Sequence, residues 1–94
     1  MSTKPLRPAE IAWLVRFYDI FDRQLGMNLT EETITRKFKS HLRGDAKKML
    51  HKLHAKGYFY RHGGRRNPTF MISREGADRA EEYKRELPPD QRST

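Results

Sequence analysis

The chain has 94 residues, and its 20 lysines and arginines against 12 acidic residues give a net charge of +8. This length predicts one domain with one hydrophobic core. The charge suits binding to nucleic acid. The alternatives are an anionic membrane surface as the partner, or a solvated basic surface without a partner. The absence of cysteine excludes disulfides and cysteine zinc sites. The sequence shows no signal-peptide stretch and no long apolar run, which predicts a soluble, cytoplasmic, nucleoid-associated protein.

The pattern of apolar residues predicts a domain over 8–87, between a flexible lead-in over 1–7 and a flexible tail over 88–94. Pro8 is tolerated in the first turn of a helix, which we expect to continue until Gly26 stops it. Two apolar sets have helical spacing along this helix: Ile11, Leu14, Val15, Tyr18, Phe21 and Leu25, and Trp13, Phe17 and Ile20. The second set indicates either a wide core-facing surface or contact with a partner subunit.

Two further helices follow the first. Thr30 is expected to cap a short second helix, whose first turn carries two glutamates that the helix dipole favours. A third helix is predicted from near Leu42 or Gly44 to Lys56, with Gly57 as its stop signal. Its inner stripe is predicted to consist of Ala46, Met49, Leu50 and Leu53.

A β-hairpin and a last helix complete the predicted order. Two runs of strand-forming residues, 58–61 and 69–72, flank a turn that contains two glycines, which predicts a hairpin. Alternation along the first run puts either Phe59 or its two tyrosine neighbours in the core rather than on nucleic-acid bases. Ser73 is expected to cap the last helix, which the pair of prolines at 88–89 ends.

Three segments carry a family resemblance. Residues 50–61 contain two leucines, then Lys-Gly, then an aromatic strand; two glycines and two arginines follow at 63–66, and Ile-Ser-Arg-Glu-Gly at 72–76 begins the last helix. In this order and spacing the chain resembles the winged helix-turn-helix superfamily of small archaeal and bacterial transcription regulators over about residues 9–87. The resemblance implies an α+β, mainly α fold: three helices, a two-stranded hairpin called the wing, and a C-terminal helix.

The resemblance also implies how duplex DNA would be bound. The third helix would lie in the major groove, with the wing on the backbone or in the minor groove. The expected contacts are Ser40, His41, Arg43, Asp45, Lys47, Lys48 and His51 around the third helix, and Arg61, Arg65 and Arg66 on the wing.

These residues differ in the role we expect of them. The two lysines suit phosphates better than base edges, and Asp45 either accepts from cytosine or is an acid favoured at a helix start. Arg65 and Arg66 are expected to enter the minor groove or to attract phosphates, with a solvated turn as the alternative.

Other chemistries have little support. His51 and His54, with His41 or His62, lack an acid at a recognised metal spacing, so we expect no metal. No nucleophile–base pattern, phosphate loop or paired buried carboxylates are visible, so we expect no enzyme and no cofactor. A core this small also leaves little room for a small-molecule pocket.

The sequence therefore predicts a DNA-binding transcription regulator. It is expected to be a homodimer through the first helix, the last helix or both, on the grounds of the doubled apolar face and of Tyr83 and Leu87. One alternative is an architectural nucleoid protein that coats double-stranded DNA regardless of sequence. Another is a winged-helix module that binds RNA or protein within a larger assembly.

Overall fold

A computed structural model of the chain describes residues 3–63 and 66–86. Within these ranges four α-helices and a three-stranded antiparallel sheet form a small, mainly helical α+β fold, which confirms the predicted class. The elements are α1 (Pro8–Ile20), β1 (Leu29–Thr30), α2 (Glu31–Arg36), a 3₁₀ turn (Ser40–Leu42), α3 (Arg43–Ala55), β2 (Phe59–His62), β3 (Thr69–Ile72) and α4 (Arg74–Glu86). No described helix has the length and apolar character needed to cross a membrane.

The sheet has the order β1–β3–β2. The predicted hairpin is confirmed: β2 pairs antiparallel with β3, with Phe59 opposite Ile72 and Arg61 opposite Phe70. The third strand was not predicted. It pairs Leu29 with Phe70, and its two residues are too few to show the alternation by which a strand is identified.

The predicted end of α1 is wrong. The helix ends at Ile20, not near Gly26, because Asp22 and Arg23 have left-handed backbone conformations, with φ of 53° and 55°. The side chain of Leu25, which the spacing assigned to the buried stripe, is consequently 55% exposed.

The two apolar sets of α1 both contact the chain's own core. Phe17, from the second set, is fully buried, and its ring contacts those of Phe38 and Phe59. Trp13 is partly buried against Phe17 and Phe38, while the opposite side of α1 packs against α4. The doubled apolar face of α1 therefore serves a wide core-facing surface.

The predicted helix caps are confirmed. The Thr30 hydroxyl accepts a hydrogen bond from the backbone N–H of Thr33, at 3.1 Å. Ser73 is fully buried; its hydroxyl accepts from the Gly76 N–H and donates to the Gly57 carbonyl, both at 3.0 Å. Gly57 follows α3 in a left-handed conformation, φ 94°, as expected of a stop residue.

Candidate nucleic-acid interface

One side of α3 faces solvent, opposite the buried Ala46, Leu50 and Leu53. The exposed residues Gly44, Lys47, Lys48, His51 and Ala55 lie on this side, which we call the outer face of α3. Gly44 and Ala55 project little from the helix, and the side chains of Lys47, Lys48 and His51 lie between them. The outer face is therefore a convex, basic surface about one helix wide.

His51 joins the outer face to two neighbouring elements. Its imidazole Nε2 is hydrogen-bonded to the Glu31 carboxylate in the first turn of α2. Its ring also meets the Phe70 ring of β3 edge-on, with the ring centres 5.6 Å apart. The His51 side chain is still 44% exposed, so the ring is accessible to a partner although Glu31 and Phe70 hold it from two sides.

The 3₁₀ turn leads directly into α3. Ser40 and His41 are exposed there, and Arg43 is the first residue of the helix. The Arg43 Nε donates to the Phe38 carbonyl at 3.2 Å, which holds the guanidinium at the α3 N-terminus. All three predicted contacts therefore lie next to the N-terminal end of the outer face.

Asp45 lies towards α1, away from the centre of the outer face. It lines a shallow depression of about 300 Å³ together with Trp13, Lys48, Met49 and Lys52. This placement and its position in the first turn of α3 agree with the role of a helix-start acid.

The hairpin contributes two described arginines. Arg61 is exposed on β2 and lies opposite Phe70 of β3. The ring centres of Phe70 and His54 are 6.0 Å apart, so Arg61 lies beside the C-terminal half of α3. Arg66 is exposed in the connection to β3. Arg65, the predicted minor-groove residue, lies outside the described residues.

Six predicted residues are thus exposed along the 3₁₀ turn and α3: Ser40, His41, Arg43, Lys47, Lys48 and His51. Sequence reasoning missed Lys37 and Lys39, which are exposed just before the 3₁₀ turn. Both lysines lie next to the predicted turn between the second and third helices, and this position could have identified them as candidate DNA contacts. Both extend the basic surface towards α2.

The histidines do not form a metal centre. Within the described ranges no group of three or more histidine, cysteine or acidic side chains is placed to hold an ion. Burial, with smaller contributions from Arg61 and His51, lowers the pKa of His54 below its ordinary value of 6.5. His54 is therefore neutral at physiological pH, and the positive charge beside it comes from Arg61.

No family model, curated protein or solved structure matches the chain.

Proposed function

We propose that the protein is a winged helix-turn-helix transcription regulator that binds duplex DNA. In this proposal α2, the 3₁₀ turn and α3 are the helix-turn-helix, and the β2–β3 hairpin is the wing. The observation that carries it is the outer face of α3, where Lys47, Lys48 and His51 are exposed between two small residues. A helix of about 10–12 Å diameter fits the B-DNA major groove, which is about 12 Å wide.

The side chains divide into two kinds of contact. Lys47 and Lys48 are flexible point charges that suit phosphates, and each neutralised phosphate releases counterions. Ser40, His41 and His51 carry donors and acceptors that suit base edges, and His51 is held in place by Glu31 and Phe70. Residues of both kinds favour a regulator over a protein that only coats DNA, which needs the phosphate contacts alone.

The shape of the surface favours DNA over double-stranded RNA. The major groove of A-form RNA is deep and narrow, so side chains on a protruding helix do not reach its base edges. A convex helix face therefore suits B-form DNA. RNA outcompeting duplex DNA would favour the interaction-module alternative instead.

The proposal is tested by comparing two charge-matched variants in fluorescence anisotropy with a random-sequence DNA duplex. Lys47→Ala/Lys48→Ala removes the outer-face lysines, and Arg74→Ala/Arg85→Ala removes two exposed charges from α4, which packs on α1. If the proposal holds, the lysine variant loses about two units of the log K against log salt slope, while the α4 variant keeps nearly the native slope. Equal losses would show a diffuse charge effect and contradict the role of α3.

A further inference from the structure

The outer face of α3 ends at a groove. Ala55 is the last residue of α3 and of that face, and it also lines a groove of about 550 Å³. The rest of the described lining comes from the N-terminal segment, the end of α3 and the residues after it, strand β2, and Glu75 of α4. The surface proposed for DNA therefore continues past the C-terminal end of α3 into a concave region.

The N-terminal segment is held in place at the end of α3. The Lys4 N–H donates to the Lys56 carbonyl at 3.1 Å, and the Tyr58 hydroxyl donates to the Lys4 carbonyl at 2.6 Å. Lys4 is nevertheless exposed. Its backbone is therefore fixed at the groove while its side chain is accessible to a partner.

The accessible charges in the groove are mainly positive. Lys4 and Arg61 are exposed, whereas the Lys56 ammonium donates to the buried Glu10 carboxylate at 2.8 Å. Glu75 is the one carboxylate in the described lining, and it lies in the first turn of α4, where the helix dipole favours an acid. The groove therefore favours an anionic occupant.

The length of α3 brings this groove close to a DNA strand. Its 13 residues, at about 1.5 Å each, span about 20 Å, and the B-DNA major groove is about 12 Å wide. Since the major groove winds around the duplex, the ends of a straight helix of this length lie near the strands that border it. The C-terminal end of a helix repels phosphate through its dipole, and the charges of Lys4 and Arg61 offset that repulsion.

We infer that this groove holds the sugar-phosphate backbone of one strand bordering the major groove, and that Lys4 is a DNA contact. The inference rests on the proposed function and extends its surface beyond α3. Lys4 and Arg61 pair with phosphates, and the ring of Tyr60, which is 46% exposed, packs against deoxyribose. A free phosphate would meet the same cations, but a duplex bound along α3 is already held beside the groove, which raises its effective concentration there.

Lys4→Ala tests this contact, because it removes the charge and keeps the backbone groups that fix the segment. In fluorescence anisotropy with a random-sequence duplex, we expect the slope of log K against log salt to fall by about one unit. The control Arg85→Ala, at an exposed site on α4 outside the described lining, should keep nearly the native slope.

Two outcomes separate this inference from the proposed function. A native slope in Lys4→Ala, when Lys47→Ala/Lys48→Ala loses about two units, would overturn the inference and leave the proposed function standing. No DNA binding by the native chain would overturn both.

The groove carboxylate gives a test of opposite sign. Glu75→Gln removes a negative charge that repels phosphate, so we expect DNA affinity at low salt to rise about two- to fivefold. Glu86→Gln, at an exposed site on α4 outside the described lining, is the control and should stay within about 1.5-fold of the native affinity. An affinity unchanged in Glu75→Gln would overturn the inference.

Proximity to the DNA backbone can be measured directly. The chain has no cysteine, so Lys4→Cys carries a single iron–EDTA group that cleaves DNA backbone close to it. We expect the group at residue 4 to cleave the bound duplex, and the same group on Arg85→Cys to leave it at background. Inorganic phosphate is the probe for a free anion. Saturable phosphate-induced shifts of the ¹⁵N-labelled Lys4 and Arg61 amides, without cleavage from residue 4, would overturn the inference in favour of a small-anion site.

Discussion

Glu10 is a buried carboxylate that ties α1 to the end of α3. It is 2% exposed, and it accepts hydrogen bonds from the Arg7 N–H at 2.8 Å and from the Lys56 ammonium at 2.8 and 3.0 Å. Lys52 lies 3.1 Å from the same carboxylate. The Arg7 N–H and the Lys56 ammonium outweigh the effect of burial and lower the pKa of Glu10 from 4.5 to about 2.

Glu10 therefore makes the stability depend on pH in the acid range. Because the folded pKa is the lower one, the carboxylate stabilises the fold fully above pH 4.5, and this contribution is lost as the pH falls towards about 2. Glu10→Gln is expected to lower the free energy of unfolding at neutral pH by about 2–3 kcal/mol and to flatten its acid dependence.

Urea unfolding at a series of pH values measures both effects. Glu86→Gln, at an exposed site on α4, is the control and should change stability by less than about 0.5 kcal/mol. An acid dependence as steep in Glu10→Gln as in the native chain would contradict the role of this carboxylate.

Two glycines have opposite surroundings. A Cβ on Gly76 would lie 2.4 Å from the Tyr58 carbonyl oxygen and 2.9 Å from Ile72 Cγ1, so α4 has to move for it to fit. Gly44, within α3, has no heavy atom within 4 Å of an added Cβ. We expect Gly76→Ala to destabilise the fold by about 1–3 kcal/mol, and Gly44→Ala to stabilise it by about 0.5–1 kcal/mol. Thermal unfolding of both variants checks the signs; a shift of the same sign in both would contradict this reading.

At the scale of elements, α2 depends on its cap. It has six residues and one buried side chain, Ile34, so it has little packing of its own. Thr30→Ala removes the cap and is expected to cost about 1 kcal/mol in the free energy of unfolding. Thr35→Ala, which removes a hydroxyl that donates to the Glu32 carbonyl of the same helix, is the control. Chemical denaturation should show a cost for Thr35→Ala below about 0.5 kcal/mol; equal losses would contradict the cap's importance.

The elements also show how far local sequence signals reach. The caps of α2 and α4 and the stop at Gly57 were predictable because each depends on residues within a few positions of it. The end of α1 was not, since helical spacing continues through Phe21 to Leu25 while the backbone at Asp22 and Arg23 has already left the helix. Strand β1 was not predictable either, because it exists only through pairing with β3, about 40 residues later.

The candidate site was predictable in part for the same reason. Charge and helical spacing identified the outer face of α3 from local sequence. His51 and Glu31 lie 20 residues apart in the chain, and their contact depends on how α2 packs against α3. It was therefore not predictable from local sequence. A groove of about 550 Å³, which the predicted lack of a pocket did not anticipate, forms between the N-terminal segment, the end of α3 and strand β2, which lie far apart in the sequence.

At the scale of the whole molecule, the homodimer remains a prediction. The apolar sets of α1 pack on the chain's own core and on α4, so they no longer argue for a partner. Tyr83 is half-buried and Leu87 lies outside the described residues. Sedimentation equilibrium at micromolar concentration measures the association directly. The regulator proposal expects a dimer, and a monomer throughout would contradict that expectation while leaving DNA binding by one domain untouched.

The central claim is that this chain binds duplex DNA through the outer face of α3 and the hairpin. The most direct measurement is the salt dependence of binding to a DNA duplex and to an RNA duplex of the same sequence, for the native chain and for Arg65→Ala/Arg66→Ala. The account predicts tighter binding to DNA, a steep fall of log K with log salt, and a slope reduced by about one to two units in the variant. No binding to DNA at moderate salt, or tighter binding to RNA, would contradict it.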